Sequence, residues 1–314
     1  MWLDSDNENY QVFMEWTSLT SLYLKGNKLT ALPLNFTALL RIKVCEFDWD
    51  DLTLPPSEVA KQGNKEIFDY LYQMSIALKR LTLDISGKGL VTFPVHLTSM
   101  ERLASLNLNN NKIRLLDPYV NSVSKLKTLY MDRNQMPSIP KEFCDLTLLT
   151  DLSISENILL VLPVGFGKMT DLTSLKLMSN RLTELPADFT LLVNLTYLSF
   201  RYNRLKALPF NIGGVDLSMG PFIPIFLGGL VKLTYLDASN NDLEIVPKSI
   251  LGLTNLTTLF LDQNPIKSIP DRLKRLKKCE NFTVAIEKLT VLEKLDLFKF
   301  DVKVIPPREV VMRG

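Results

Sequence analysis

The sequence is poor in the residues that most enzyme and metal sites require. Its 314 residues include one histidine and three cysteines, too few for a histidine–cysteine metal site or a Ser-His-Asp triad. Positive and negative charges nearly cancel, leaving a net charge of +2. Such a balance gives no reason to expect nucleic acid or an anionic membrane as a partner. The composition therefore favours a non-catalytic protein without a cofactor or a metal.

The small number of cysteines and the lack of long apolar runs indicate in which cellular compartment the protein is expected. Cys45, Cys144 and Cys279 lie far apart, and an odd, scattered set of this kind is typical of free thiols in a reducing compartment. No run reaches the roughly 18 apolar residues of a membrane-spanning helix. Residues 1–10 are acidic and lack the features of a signal peptide. We therefore expect a soluble cytoplasmic protein with no membrane span.

Leucine is abundant, at 59 of the 314 residues, and it recurs at a fixed interval. A phrase of the form L-x-x-L-x-L-x-x-N-x-L-x-x-L-P repeats every 23 residues and opens at Leu103, Leu126, Leu149, Leu172 and Leu195. Further copies open at Leu19, Leu233, Leu256 and Leu292, with degenerate ones near Leu39 and Arg80. About eleven units cover nearly the whole chain, which indicates a repeat architecture.

Each phrase predicts a short strand followed by a tight turn. The L-x-L core alternates with period two, so its leucines face one way and the residues between them face the other. Neighbouring units then stack their strands in parallel over a shared leucine core. The asparagine of each phrase stands at the turn, where its amide can satisfy buried backbone groups. These asparagines are Asn27, Asn111, Asn134, Asn157, Asn180, Asn203, Asn241 and Asn264.

The pattern resembles the leucine-rich repeat family over essentially its whole length. The 23-residue form ending in Leu-Pro is similar to that of the intracellular Ras-group and Scribble-type scaffolds. The resemblance implies an α/β solenoid, a leucine-rich repeat horseshoe with a parallel β-sheet on its concave face. Short helices, 3₁₀ turns or extended segments would form the convex face. The resemblance also implies protein binding without catalysis.

One break in the repeat predicts two blocks. In the segment after Leu54, we predict that Ser57 caps a short helix and that Gly63 ends it. A second, amphipathic helix would follow, with Ile67, Leu71 and Met74 on its apolar face. On either side of the break, phenylalanine (Phe47) and lysine (Lys88) replace the asparagine. These features predict a short N-terminal block, 1–77, with a closing helical segment at about 55–77, and a main block, 78–314.

Two segments disturb the 23-residue interval of the main block. Residues 214–228 add 15 residues and are strongly apolar for a loop, and residues 279–291 add 13. Both follow a Leu-Pro or Ile-Pro pair, so we predict that they lie on the convex side, where insertions do least harm. For 214–228 three interpretations remain: a docking or membrane-touching tip, a loop folded back on the convex surface, or a translated gene-model error.

The single histidine, His96, also falls on the predicted convex side. It has no second histidine as a partner for a metal or a proton relay. We therefore predict an ordinary surface residue, whose replacement has no measurable effect.

The residues between the strand leucines are the candidate binding residues, because they project from the concave face. Tyrosine, phenylalanine and arginine concentrate there in the later repeats, and such residues are enriched at interface hot spots. Aromatic residues are also ordinary on strand surfaces, so an unspecialised face is the alternative. The candidate protein-binding residues are Tyr130, Arg133, Lys176, Met178, Tyr197, Arg201, Tyr202, Tyr235, Asp237, Phe260 and Asp262. Among them, we expect Lys176, Asp237 and Asp262 to form a polar rim.

Three functions are compatible with these features. The first is a non-catalytic signalling scaffold that binds a protein of unknown identity on the concave face. The second is a regulatory or targeting arm of a larger enzyme assembly, such as a Roco-type GTPase or kinase, a phosphatase regulator or a ubiquitin-ligase adaptor. The third is a structural component of a large complex that makes contacts through 214–228 and 279–291. The fold alone does not choose between them.

Overall fold

The computed structural model describes residues 15–210, 212, 229–270, 276–279, 281–283 and 301–302. The chain divides into two compact units, Met1–Gln135 and Met136–Gly314. The insertion 214–228, most of 279–291 and most of the phrase that opens at Leu292 lie outside the described residues.

The first unit contains two parallel sheets. Strands β1 (Ser21–Tyr23) and β2 (Val44–Glu46) form the first sheet. Strands β3 (Thr82–Asp84), β4 (Ser105–Asn107) and β5 (Thr128–Tyr130) form the second in chain order. Along the chain, helices α1 (Ser57–Ala60) and α2 (Asn64–Arg80) separate the two sheets. The division into blocks 1–77 and 78–314 stays a proposal.

The second unit contains one parallel sheet, with its strands in chain order. The strands are β6 (Asp151–Ser153), β7 (Ser174–Lys176), β8 (Tyr197–Ser199), β9 (Tyr235–Asp237), β10 (Thr258–Phe260), β11 (Asn281–Thr283) and β12 (Asp301–Val302). Leu152, Leu175, Leu198, Leu236 and Leu259 pair with one another in register. All five are buried, so the leucines build the core and the flanking residues form the opposite face, as predicted.

In the described residues, eight 3₁₀ turns lead the chain away from the strands, and five of them begin directly after a proline. In the first unit they span Leu34–Ala38, Trp49–Asp51, Val95–Ser99 and Pro118–Ser122. In the second they span Lys141–Asp145, Phe166–Lys168, Ala187–Leu191 and Lys248–Gly252. The proline carbonyl accepts the N–H three residues later, as from Phe189 to Pro186 at 3.0 Å. Phe166 and Phe189 are fully buried and their rings stack at 6.1 Å. Parallel strands joined by such turns confirm the predicted α/β solenoid fold.

The helices of the break differ in detail from the prediction. Pro56, not Ser57, occupies the N-cap of α1, and no side chain caps this helix. Gly63 precedes α2 with a φ of 111°, a left-handed conformation that glycine adopts without strain. Helix α2 runs to Arg80 and buries its apolar face. The prediction of two helices is confirmed, but the predicted N-cap is wrong.

Lys88, which replaces an asparagine, connects the first repeat after the break to α2. Its ammonium donates to Glu66 at 2.9 Å and Asp69 at 2.6 Å, and the Lys88 side chain is only 14% exposed. Gln62 donates to the Lys88 carbonyl at 2.8 Å. An ion pair with the helix therefore stands where other repeats use an asparagine.

His96 is not an ordinary surface residue, so that prediction is wrong. Its Nε2 lies 2.9 Å from the hydroxyl of Tyr70 on α2, and its Nδ1 lies 3.0 Å from the carbonyl of Thr53. Burial lowers the pKa of the ring to about 4, although the Thr53 carbonyl acts in the opposite direction. The neutral ring thus donates to Thr53 and accepts from the fully buried Tyr70.

The prediction that 279–291 is a convex insertion is wrong for Asn281–Thr283. These residues form β11, which pairs with β10 so that Phe282 lies opposite Leu259. Cys279 and Phe282 stand 23 residues after Leu256 and Leu259 and are both buried. They occupy leucine positions of a repeat that the leucine pattern does not reveal.

Candidate functional site

The turns that position the strands depend on buried asparagines. The amide of Asn180 donates to the carbonyls of Ile154 and Leu177, at 2.8 and 3.2 Å, and its Oδ1 accepts from the N–H of Leu159 at 3.0 Å. Asn203 makes the same contacts one repeat later. Each side chain thus satisfies buried backbone groups of its own repeat and of the repeat before it. The predicted asparagine ladder is confirmed at these positions.

The exposed Asn27 departs from this pattern. Its amide donates to the Leu24 carbonyl at 2.9 Å. Asn27 is therefore a natural reference against which the buried asparagines can be compared.

A left-handed residue precedes each buried asparagine. Arg133, Tyr202 and Gln263 have φ values of 56°, 55° and 54°. A bulky side chain rarely adopts this conformation, but here it recurs in every regular repeat because the turn requires it. The turn sets the direction of these side chains, and Arg133 and Tyr202 are both exposed.

The candidate residues divide between the two units. Tyr130, which ends β5 and is half-buried, and the exposed Arg133 lie in the first unit. The other nine belong to the second unit, on or directly after β7 to β10. Among these, the exposed Lys176 ends β7 and the half-buried Met178 follows it. The structure thus groups nine candidates on one unit.

Three aromatic residues pack against one another on the face of β8, β9 and β10. Tyr197 and Tyr235 stand opposite each other in register and stack at 4.4 Å with an interplanar angle of 8°. The ring of Phe260 meets Tyr235 edge-on at 5.9 Å. All three side chains are half-buried. We call them the aromatic cluster. Burial raises the pKa of Tyr235, and Tyr197 and Asp237 add to this effect, so its hydroxyl is a neutral donor.

Cationic side chains flank the aromatic cluster. The ammonium of Lys176 lies 5.7 Å from the Tyr197 ring centre. The guanidinium of Arg201 lies 4.6 Å from the ring centre of Tyr202 and donates to its hydroxyl at 3.1 Å. Burial lowers the pKa of Arg201, but the bond to Tyr202 and the charges of Asp237 and Asp262 outweigh it and raise the pKa overall.

Small polar residues form a floor beside the aromatic cluster. Ser199, Asp237 and Ser239 are at most 4% exposed. Asp237 Oδ1 accepts from the N–H and the hydroxyl of Ser239, at 3.0 and 2.6 Å. The expectation that Asp237 belongs to an exposed rim is therefore wrong. Asp262 is half-buried and Lys176 is exposed, so these two residues do lie higher on the face.

The sequence did not predict that the side chains of Ser199, Asp237 and Ser239 are buried. The alternation of strand residues shows which side chains share a face, but it does not show which of them the larger neighbours cover. The signal was present in the residue sizes: Ser199 and Ser239 lie among tyrosine, arginine and phenylalanine. A small residue between large ones is readily covered by its neighbours.

Other chemistry is limited in the described part of the chain. It contains no group of three or more His, Cys, Asp or Glu side chains placed to hold a metal ion. Within the same residues, no helix has the length and apolar character needed to cross a membrane. Cys45, Cys144 and Cys279 are buried and form no disulfide bond, and burial raises their pKa to about 11, 11 and 12. Their thiols are therefore poor nucleophiles.

Comparison with known proteins identifies the repeats. Residues 101–159 match one leucine-rich repeat family model, and residues 232–253 match another. These segments are therefore leucine-rich repeats, and the whole described fold agrees with that assignment.

Solved structures of leucine-rich repeat proteins share the fold. A leucine-rich repeat protein of Leptospira interrogans is 22% identical with a TM-score of 0.56, over 96% of this chain and 65% of its own. The leucine-rich repeat domain of the type III effector XopL is also 22% identical, with a TM-score of 0.59, over 77% and 83%. The Arabidopsis receptor kinase HAESA, solved with the peptide hormone IDA and the co-receptor SERK1, is 30% identical with a TM-score of 0.54, over 65% and 34%. This chain thus spans about two thirds of the Leptospira protein and one third of HAESA.

Proposed function

We propose that the protein is a non-catalytic interaction scaffold that binds a protein partner through the face of β7 to β10. The observation that carries this proposal is the aromatic cluster. Its three half-buried rings pack against one another on the face of the sheet opposite the leucine core, so they are not needed to fill that core. Tyr202 adds a ring that is 49% exposed beside Arg201. Tyrosine and arginine are the residues that most often dominate binding energy at interfaces.

The proposal includes an intracellular signalling role in the cytoplasm, resembling that of the Ras-group and Scribble-type scaffolds. Three buried cysteines that form no disulfide bond support a reducing compartment. Within this proposal the protein needs no cofactor or metal, and the partner is a protein, not a nucleic acid.

A second candidate is a regulatory or targeting arm of a larger enzyme assembly. The similarity to the repeat region of HAESA favours it, because that protein is a receptor kinase and this chain covers only 34% of it. In this case the same sheet face would recruit a substrate or a regulator to an enzyme domain.

Affinity purification from native cytosol tests the first proposal. The wild-type chain is compared with a triple variant, Tyr197→Ala, Arg201→Ala and Tyr235→Ala, after circular dichroism has shown that the variant folds. Tyr72→Ala is the matched control, because Tyr72 is a 54% exposed tyrosine on α2. We expect the triple variant to lose the partner and the control to retain it, since hot-spot truncations cost about 2 kcal/mol or more each. Retention of every partner by the triple variant would contradict the proposal.

A further inference from the structure

An open cleft lies in the first unit, where α2 meets the strands β3, β4 and β5. Its volume is about 480 Å³. One stripe of α2 forms the wall of the cleft, since Gln73, Ile76 and Arg80 are spaced to share one face of a helix. Residues of the three strands form the floor. The cleft includes the candidate residue Tyr130 but no residue of the aromatic cluster.

Arg80 brings to this cleft a cation that has no partner. It is exposed at the end of α2, and its guanidinium forms no hydrogen bond or ion pair within the described part of the chain. A guanidinium has five N–H donors, two of which can bind the oxygens of one carboxylate side by side. The wall of the cleft therefore presents a positive group whose donors are unused.

The described lining of the cleft contains one other charged side chain, Asp84. Its Oδ1 accepts from the N–H of Ser86 at 3.0 Å, and its Oδ2 accepts from the side-chain amide of Asn107 at 3.1 Å. Arg80 precedes β3 and Asp84 ends it, and the two form no ion pair. The cleft is thus neutral as a whole, with an unpartnered cation at one end of β3 and a hydrogen-bonded carboxylate at the other.

Other side chains of the cleft add hydrogen-bonding capacity and apolar surface. The amide of Gln73 and the hydroxyls of Ser105 and Tyr130 form no hydrogen bonds among the residues that the structure describes. Ser105 and Tyr130 are half-buried on neighbouring strands, and Ile76 lines the wall. The cleft therefore offers donors for an acidic group and apolar surface for the carbon atoms that carry this group.

The balance of charge in the cleft favours a ligand with a single negative charge. One guanidinium matches one carboxylate in charge and in geometry. A phosphate group carries close to two negative charges at neutral pH, and Asp84 would repel the excess. A peptide carboxylate beside Arg80 would also bring main-chain N–H groups, and Asp84 can accept these because a carboxylate has about four acceptor positions.

We propose that the cleft between α2 and β3 to β5 binds the side chain of a glutamate or aspartate presented by a protein partner. Arg80 donates to the carboxylate, and Ile76 and the ring of Tyr130 pack against the methylene groups that carry it. This site goes beyond the proposed function, because it lies in the first unit and shares no residue with the face of β7 to β10.

Short blocked peptides test the site in the intact wild-type chain. Acetyl-Gly-Glu-Gly-amide is compared with acetyl-Gly-Gln-Gly-amide, which has nearly the same shape but no charge. The corresponding phosphoserine peptide is the third probe. NMR of labelled isoleucine methyl groups and tyrosine rings reports binding. We expect shifts at Ile76 and Tyr130 and an affinity about fivefold higher for the glutamate peptide at low ionic strength, a difference that added salt should reduce.

Two variants locate the effect. Arg80→Gln removes the positive charge from the cleft and should abolish the preference for glutamate over glutamine. Arg102→Gln is the matched control, because Arg102 is an exposed arginine of the same unit that does not line the cleft; it should leave the preference unchanged. Because the comparison of peptides on the wild-type chain stands alone, a folding defect in one variant does not remove the test.

Equal binding of the glutamate and glutamine peptides, or no shift at Ile76 and Tyr130, would overturn the inference. So would a glutamate preference that survives Arg80→Gln. Tighter binding of the phosphoserine peptide would overturn the assignment to a carboxylate. None of these results bears on the face of β7 to β10, which the affinity purification with the triple variant tests separately.

Discussion

The regular repeats and the break near residue 55 solve the same structural problem with different chemistry. In a regular repeat, one buried asparagine satisfies backbone groups of two successive units, as Asn180 does for Ile154 and Leu159. At the break, the ion pairs of Lys88 and the hydrogen bonds of His96 attach neighbouring segments to α2 and to Thr53. The hydrogen bonds of the asparagines in the regular repeats are uncharged and do not depend on pH. The contacts at the break, in contrast, involve side chains that titrate.

The largest effect should come from a regular repeat in which two successive turns approach closely. A Cβ added at Gly167 would lie 2.0 Å from the carbonyl oxygen of Asp188, and because that atom belongs to the backbone the repeat must shift. We expect Gly167→Ala to lower the free energy of unfolding by about 3 kcal/mol or more, measured by urea denaturation. Gly26→Ala is the reference for backbone strain alone, since Gly26 has open space around it but a φ of 82°, and it should cost about 1–2 kcal/mol; a loss at Gly167 no larger than this would show that close approach is not the cause.

The break should make stability depend on pH through His96, the only histidine. Its pKa falls from 6.5 to about 4 on folding, so the folded state favours the neutral ring. The resulting stability is fully present above pH 6.5 and is lost as the pH falls towards 4. One pKa unit corresponds to about 1.4 kcal/mol, so the loss should reach about 3 kcal/mol.

His96→Ala checks this assignment. The variant leaves the buried Tyr70 hydroxyl without a partner, which should cost about 1–3 kcal/mol at pH 7. Between pH 6.5 and 4 it should lose less further stability than the wild type loses. Unfolding curves of both chains at several pH values measure the difference, and parallel pH profiles would show that His96 is not the titrating group.

Removal of one asparagine should weaken a regular repeat by a smaller amount. Asn180→Ala leaves the N–H of Leu159 and the carbonyl of Ile154 without their partner in the core. We expect a loss of about 1–3 kcal/mol. Asn27→Ala removes an exposed asparagine of the same motif and should change the unfolding free energy by about 0.5 kcal/mol or less. Equal losses at the two positions would contradict the role assigned to the buried ladder.

The ion pair at the break should give the smallest effect. Lys88→Met removes a 14% exposed ammonium from Glu66 and Asp69, with an expected loss of about 1–2 kcal/mol. Lys267→Met is the control, because Lys267 pairs with Glu244 where both side chains are more than half exposed. Thermal denaturation should show no measurable change for the control, and an equal change in both variants would remove the distinction between the two pairs.

The sequence predicts the parts of the fold that repeat. Strand leucines and turn asparagines recur at a fixed interval, so their contacts recur too, and Asn180 and Asn203 make the same bonds. The repeat pattern did not predict the buried positions of Cys279 and Phe282, because residues other than leucine occupy leucine positions there. The bond between His96 and Tyr70 escaped it because nothing periodic relates a helix residue to a turn residue.

The sequence predicts which side chains of the candidate site share one face of the sheet, but it does not predict how deeply each of them is buried. Alternation along a strand places Tyr235 and Asp237 on the same side of the sheet. Their exposure depends on neighbouring side chains, and the large rings of Tyr197, Tyr235 and Phe260 stand beside a carboxylate that is almost fully buried. That depth becomes visible only once the strands are in register.

Site-specific photo-crosslinking tests most directly whether this face is the binding surface. A photoreactive phenylalanine analogue replaces Tyr202, which is 49% exposed beside the aromatic cluster, or Tyr72, which is 54% exposed on α2. After irradiation with native cytosol, we predict a discrete protein adduct at position 202 that disappears when Tyr235→Ala is added, and no such adduct at position 72. An adduct at position 72 alone, or one at position 202 that is unchanged by Tyr235→Ala, would contradict the account.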